Sequence, residues 1–301
     1  MDGILTVYKE RGFTSFDVVA KLRGILHMKK IGHTGTLDPQ AEGVLPVCLG
    51  SATKVCELLT DRDKTYETVL RLGVVTDTQD LTGTVLRQAD VTCSQEEVRA
   101  CIAGFIGPGL QVPPMYSALK VDGKKLYELA RQGREVERAA RPVTFYEIEV
   151  LGMDLPRVRL RVRCSKGTYI RTLCHDIGER LGCGGAMESL LRTAVSPFLL
   201  QEAHRLDEIE AAMCAGTVEE WILPVDRLFE EWPAVRLDAE GSRLLRNGNA
   251  LSAGRLASAF ADGILPEAEK LRLYDDNGRF WAVYERRPGG EYRPLKMFPP
   301  V

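Results

Sequence analysis

The sequence predicts an α+β protein, with strands and helices interleaved in a larger portion and a small all-β domain at the C-terminal end. Three observations carry this. Segments such as KTYETVLRLG (64–73) and RVRLRVRCSKG (157–167) place apolar residues at every second position, the period of a half-buried strand. Segments such as SQEEVRACIAGF (94–105) and TYIRTLCHDIGERLG (168–182) combine helix caps with apolar residues three and four apart. Near residue 232, FEEWPAVRL shifts the composition, and short strand candidates follow around an Asn-Gly turn.

From the N-terminus, Ile4–Tyr8 reads as a short strand, and FDVVAKLRGILH has apolar residues at 18, 19, 22, 25 and 26, a helical spacing. VLPVCLG (44–50) reads as a buried strand, with Ser51 the expected N-cap of a helix over ATKVCELL. The strand KTYETVLRLG turns Tyr66, Thr68, Leu70 and Leu72 to one face. Ser94, with Glu97 three residues on, forms a capping box. Pro108, Pro113 and Pro114 then break the pattern. Residues 108–142, with a hairpin-like YSALKVDGK (116–124) and a short helix closed by Gly133, read as an excursion from the main sheet. TFYEIEVLGM (144–153) and RVRLRVRCSKG are adjacent strand candidates, the second with Val158, Leu160 and Val162 inward and four arginines outward. The following helix has Thr168 as its expected cap, Ile170, Leu173, Ile177 and Leu181 as its apolar stripe, and Gly182 as its stop. The chain thus divides into 1–232 and 233–301, the second portion being of a size compatible with independent folding.

Composition narrows the function classes. A chain of 301 residues that is 45% hydrophobic and 27% charged is an ordinary globular protein and not a disordered one. No run reaches the roughly 20 apolar residues of a membrane helix, and MDGILTVYKERG has no secretory pattern. Eight cysteines (48, 56, 93, 101, 164, 174, 183 and 214) stand singly, without metal or redox spacing. A cytoplasmic protein with reduced thiols and no membrane association is expected.

The net charge of −2 conceals a strong asymmetry. Residues 18–37 carry Lys21, Arg23, Lys29 and Lys30 and no acid. Residues 155–175 carry Arg157, Arg159, Arg161, Arg163, Lys166 and Arg171, again without one. Acids gather at 202–231. Such clustering allows a polyanion to meet a locally basic surface on an acidic protein, although a charge run is more often a solvated face.

KKIGHTGTLDPQAEGVLPVCLG (29–50) concentrates chemistry in a loop. Gly32 and Gly35 free the backbone to turn, and Pro39 pushes Asp38 out of the helical region, displaying its carboxylate. By itself this is an ordinary Asp-Pro turn. However, GHTGTLDPQAEGVLPVCLGSATK, KTYETVLRLGVVTDTQDLTG, QVPPMYSALKVDGKKLYELARQG and CSKGTYIRTLCHDIGERLG, in this order along nearly the whole chain, resemble the TruB family of tRNA pseudouridine-55 synthases. One departure lies at the start, where the family has Asp-Lys-Pro and this chain has Tyr8, Lys9 and Glu10.

The resemblance implies a pseudouridine synthase fold: a central mixed, largely antiparallel sheet flanked by helices, with a PUA-like RNA-binding domain over 233–301. GRFWAVYERRPGGEYRPLKMF carries that second likeness. It also implies that the uridine at position 55 of the tRNA T-loop is flipped out, detached at N1, turned and rejoined through C5. Such an isomerisation needs no metal or redox cofactor. Asp38 matches the catalytic aspartate; whether it attacks the sugar or the base, or abstracts a sugar proton, stays open on sequence. Arg171 matches the arginine that pairs with this aspartate, an arrangement that lowers a carboxyl pKa. Tyr66 matches the active-site tyrosine that stacks on the base and can take the C5 proton, although a tyrosine on an alternating strand is more often core.

Among substrate-binding residues, His33 resembles the histidine that opens the T-loop, Leu190 an apolar wall, and Lys9 a matched lysine, while Lys29 and Lys30 lie in the basic stretch. The excursion resembles the family's thumb-like insertion that grips the T-stem-loop. The implied protein is a monomer with tRNA as its partner. A guide-RNA-dependent pseudouridine synthase and a non-catalytic tRNA-folding protein are the alternatives. A glycoside hydrolase would need two partnered carboxylates, and no second acid is tied to Asp38 by sequence.

Overall fold

A computed structural model describes residues 1–121 and 123–299. Asp122, in the expected hairpin, and the terminal Pro300 and Val301 lie outside the described residues. In chain order the elements are β1 (Gly3–Lys9), α1 (Ser15–Ile25), β2 (Ile31–His33), β3 (Glu42–Leu49), α2 (Cys56–Thr60), β4 (Lys64–Leu72), β5 (Val74–Thr76), β6 (Val85–Gln88) and α3 (Gln95–Ala103). Then come β7 (Gly107–Gln111), β8 (Lys120–Val121), β9 (Lys124–Lys125), α4 (Leu126–Ala130), β10 (Arg141–Asp154), β11 (Arg157–Cys164), α5 (Ile170–Arg180), β12 (Gly185–Val195), β13 (Phe198–Leu199), α6 (Leu206–Ala215) and β14 (Ile222–Leu223). The C-terminal portion holds β15 (Ala234–Arg236), α7 (Ala239–Arg246), β16 (Leu251–Ser252), α8 (Ala253–Ala257), β17 (Lys270–Tyr274), β18 (Phe280–Arg286) and β19 (Glu291–Met297).

The main sheet runs β14-β1-β3-β12-β4-β11-β10-β7, with β2 beside β3 and β13 beside β12. Every pair in it is antiparallel except β12 with β3, so it is mixed and largely antiparallel. The expected alternation is present: Tyr66, Thr68, Leu70 and Leu72 are buried along β4, and Val158, Leu160 and Val162 along β11. These faces meet α3 and α5 in one core. β1 and β3 are instead buried on both sides, one against α1 and α6 and the other against the C-terminal domain. That explains why β3 reads as a continuous apolar run.

Helix signals succeeded where the cap was free to act. The Ser94 and Glu97 capping box forms at α3, and Thr14 with Asp17 forms another at α1. Ser51 does not cap a helix: residues Gly50–Val55 wind as a 3₁₀ turn, and the Ser51 amide donates to Asp2 Oδ1 at 2.5 Å. Thr168 is likewise no cap, because its hydroxyl donates to the Ser165 carbonyl and α5 begins after Tyr169. The excursion is shorter than expected. Residues 107–111 and 141–145 pair as β7 and β10 at the sheet edge, leaving 112–140 to project.

The C-terminal sheet, ordered β15-β17-β18-β19-β16, is accompanied by two short helices. Its core is not wholly its own. Val283 and Phe298 share a cluster with Ile4, Val44, Val55, Leu59 and Phe229. Three polar links add to the junction: Lys54 Nζ to the Met297 carbonyl, Tyr274 Oη to Asp226, and Arg272 Nε to the Trp232 carbonyl. The C-terminal portion thus shares part of its core with the larger one.

Phe298 is 3% exposed in this shared core. Phe298→Ala is expected to cost about 3–5 kcal/mol and to lower the urea midpoint of the whole chain in one transition. Separate melting of the two portions would show that the junction does not couple them.

Candidate active site

The Asp38 loop, residues 34–41, is laced to its surroundings through the backbone. Thr34 N donates to the Pro46 carbonyl at 3.2 Å, Leu37 N to Ser15 Oγ at 2.9 Å, and Gly12 N to the Pro39 carbonyl at 2.8 Å. Lys9 completes this support. It is fully buried, and its Nζ donates to the carbonyls of Phe13 at 2.6 Å, Glu10 at 3.1 Å and Pro39 at 3.3 Å. Burial pulls its pKa down to about 8. The expectation that Lys9 contacts substrate is thus corrected: its ammonium is occupied under the loop and does not line the cavity.

Arg171 enters from the first turn of α5. That turn is pinned by Gln111 at the end of β7, whose side-chain amide exchanges two hydrogen bonds with the Tyr169 backbone, at 2.8 and 2.9 Å. The Arg171 guanidinium, 6% exposed, makes an ion pair with Asp38 through Nε at 3.0 Å. Its Nη2 donates to Asp38 Oδ1 at 3.3 Å and to the Tyr116 carbonyl at 2.8 Å, and Nη1 donates to the Thr78 carbonyl at 3.2 Å. On the other side Asp80 Oδ2 lies 3.8 Å from Nη1. Asp80 is held by Thr78 Oγ1 at 2.9 Å, Thr82 N at 2.9 Å and Thr82 Oγ1 at 2.5 Å.

Asp80 is one residue that sequence reasoning missed. The crowded TDTQDLTG stretch was visible, but only the fold reveals that Arg171 joins its acid to Asp38. The electrostatics also differ from expectation. Asp38 is 38% exposed by side-chain area and lines the cavity. Its carboxyl is held above the usual range, by burial first; Arg171 opposes this and Asp80 adds to it. Pairing with an arginine was expected to dominate, and desolvation outweighs it.

A cavity of about 720 Å3 opens over Asp38. Tyr66, Tyr169, Ile170 and Leu190 supply apolar wall, and Lys64, Arg141, Lys166, Arg171 and Arg192 supply positive charge. Asp38 is the one acid among the described lining residues. Leu190 is the leucine of the pair that faces the cavity; Leu191 lies beside Glu42 of β3. Burial pushes the Tyr66 phenol up to about 12. His33 ends β2 outside the cavity lining, with Nδ1 accepting from Gly35 N at 3.3 Å and burial lowering its pKa. Lys29 and Lys30 are exposed on the turn leading into β2. Among the described residues no cluster suited to a metal ion occurs, and no helix is long and apolar enough to cross a membrane.

The basic run at 157–171 is a different matter. Arg157 pairs with Glu188 at 2.9 Å, Arg161 with Glu67 at 2.9 Å and Glu149 at 3.0 Å, Arg163 with Asp63 at 3.8 Å, and Lys166 with Asp61 at 2.8 Å. Glu67 and Glu149 reach Arg161 from the strands on either side, Glu188 reaches Arg157 from β12, and Asp61 and Asp63 lie in the loop before β4. Arg157, Arg161 and Arg163 thus lie ion-paired on a solvated sheet face, Arg159 is exposed beside them, and Lys166 also lines the cavity. Arg171 faces inward and belongs to the cavity.

Residues 23–170 match the TruB family pseudouridylate synthase N-terminal domain, and residues 171–230 match the tRNA pseudouridylate synthase B C-terminal domain. The tRNA pseudouridine synthase B of Lachnoclostridium phytofermentans is 52% identical over 308 residues, covering 99% of this chain and 100% of its own. That of Clostridium perfringens is 44% identical, covering 96% of this chain and 97% of its own. A chain of a crystallised Cbf5-Nop10-Gar1 complex superposes with a TM-score of 0.73 at 26% identity, covering 99% of this chain and 85% of its own. With family models matching residues 23–230 and 52% identity over nearly its whole length to a tRNA pseudouridine synthase B, the chain belongs to the TruB family of pseudouridylate synthases.

Proposed function

We propose that the cavity over Asp38 converts the uridine at position 55 of the tRNA T-loop into pseudouridine. Family membership supports the isomerisation of uridine in tRNA. The observation that carries the residue assignment is the buried fork of Arg171, which aims the Asp38 carboxylate into a cavity roomy enough to admit a nucleoside. Asp38 acts on the nucleoside as its N1 to C1′ bond is exchanged for a C5 to C1′ bond. Tyr66 stacks on the base and takes the C5 proton, and Leu190 closes the wall beside it.

A base inside the T-loop reaches this cavity only by leaving its stack, which costs a few kcal/mol. In our reading His33 occupies the space the base vacates. The projecting 112–140 segment grips the T-stem-loop, Lys29 and Lys30 meet phosphates, and the PUA-like portion after residue 232 extends the RNA contact. The protein works as a cytoplasmic monomer without a bound cofactor. A guide-RNA-dependent enzyme is the second reading. The 52% identity over the full chain to a tRNA pseudouridine synthase B, against 26% to the Cbf5-complex chain, favours the stand-alone enzyme.

Incubation with unmodified tRNA and mapping of pseudouridine tests the reading; product elsewhere than position 55, or none without a guide RNA, refutes it. Asp38→Asn should abolish turnover and Tyr66→Phe should reduce it by about 10²–10⁴-fold, both with tRNA affinity nearly intact in filter binding. Loss of binding in step with turnover would assign these residues to recognition instead.

The pH profile follows from the direction of the Asp38 shift. The ionised carboxylate is the active form, so kcat/KM falls as pH drops through its pKa, at a pH above the ordinary value of about 4. Arg171→Met removes the cation that opposes this rise, so in its residual activity the acid limb moves to still higher pH. A limb that stays in place would separate the titrating group from Asp38.

Salt dependence distinguishes the two basic runs. If Lys29 and Lys30 each neutralise a phosphate, replacing both by alanine should shallow the log-log slope of affinity against salt by roughly 1.4–1.8. The ion-paired Arg161 and Arg163, replaced by alanine, should leave it almost unchanged. Equal effects of the two double variants would return the RNA face to the sheet.

A further inference from the structure

Arg192 stands on the cavity wall apart from the cluster of Asp38, Arg171 and Asp80. It lies on β12 directly opposite Tyr66 of β4, the two being cross-strand partners. It is 1% exposed, the largest of the fully buried side chains. Its Nε donates to the Val44 carbonyl at 2.7 Å, which ties β12 to β3. Its Nη2 is buried, lacks any hydrogen-bond partner, and belongs to a residue that lines the cavity.

A purely structural clamp explains Nε and leaves the rest of the guanidinium without a purpose. Burying a charge without a carboxylate partner is costly, and the group that favours the Arg192 charge is the Tyr66 hydroxyl. The dependence runs both ways. Burial holds the Tyr66 phenol high, and the facing guanidinium is the largest influence drawing it down. Donor contacts that are incomplete in a free enzyme tighten when the reacting group arrives.

We propose that Arg192 is the positioning residue of Tyr66: its guanidinium aims the phenol oxygen into the cavity and favours the phenolate that accepts the C5 proton. This rests on the assignment of Tyr66 above. Once C5 is joined to C1′, its C–H bond breaks and the proton forms the O–H bond of Tyr66. The electron pair becomes the C5=C6 double bond, the former C6=N1 pair moves to N1, and N1 takes a proton from water. The phenol then returns its proton to solvent, and Arg192 stays protonated throughout. The titratable and charged groups facing this pair are Asp38 from the loop, Cys164 from β11, Lys9 from β1, His33 from β2 and Lys64 from β4.

The test uses full-length protein and tRNA transcribed with uridine or with uridine deuterated at C5, under single turnover. Arg192→Met should slow the reaction about 10- to 100-fold, the loss of a charge-assisted hydrogen bond, with tRNA affinity unchanged. A primary deuterium effect larger than wild type should appear, and the rate should rise toward alkaline pH as Tyr66 ionises unaided. Arg192→Lys should restore part of the rate and shrink the isotope effect. A slowed Arg192→Met with wild-type isotope effect and pH profile would overturn the proposal and leave only the clamp. Should the methionine variant fail to fold, the lysine variant decides by the same isotope criterion. Tyr66→Phe separates the two assignments: if it keeps the wild-type rate, the role of Tyr66 fails. If it is slow while Arg192→Met behaves as wild type, only the role of Arg192 fails.

Discussion

The site depends on one planar cation. Arg171 extends its fork to two carboxylates and two backbone carbonyls, which come from three segments: the Asp38 loop, the stretch at 78–80 and the projecting segment at Tyr116. A lysine in its place would offer a point charge without the rigid fork that serves all of them at once. Because the guanidinium is buried, none of these contacts is weakened by water as a surface pair would be. The position of Asp38 is thereby coupled to the projecting segment. Tyr116 and the Asp38 carboxylate are joined through that single side chain.

Charge is arranged oppositely on two surfaces of the same sheet. The outer face of β4, β10 and β11 carries arginines matched by glutamates on adjacent strands, a lattice that cancels locally. The cavity holds an excess of cations over its one lining acid. Several of them are buried, and Lys64 is brought down to about 8 by that burial. Uncancelled positive charge therefore gathers at the cavity and its rim. Field at a concave, low-dielectric wall counts for more than the number of arginines on an open one.

The single parallel contact of the main sheet, β12 with β3, brings the two halves of the site together. At Gly43 a Cβ would sit 2.2 Å from the Arg192 carbonyl, and the backbone there has a φ of +108°. Glycine is required for β12 to lie so close. That approach places Leu190 and Arg192 on the cavity wall beside Tyr66, while β3 carries the Asp38 loop at its start.

Much of this was legible in the sequence. Period-two runs placed Tyr66 on the inner face of β4, the capping box at Ser94 placed α3, and glycines with Pro39 displayed Asp38 in a loop, because each depends on residues a few positions apart. Resemblance brought Arg171 to Asp38 before any geometry was known. What the sequence could not decide was set by contacts between distant residues. Ser51 and Thr168 lost their capping roles to other backbone and side-chain partners. Arg157 and Arg161 found acids on other strands, Arg163 met Asp63 in the loop before β4, and Lys9, expected to contact substrate, was buried under the Asp38 loop. Asp80 and Arg192 became parts of the site only through pairing across the sheet and across the arginine fork. Local pattern determines where a side chain points along its own element, whereas the partner that meets it there is a property of the folded chain.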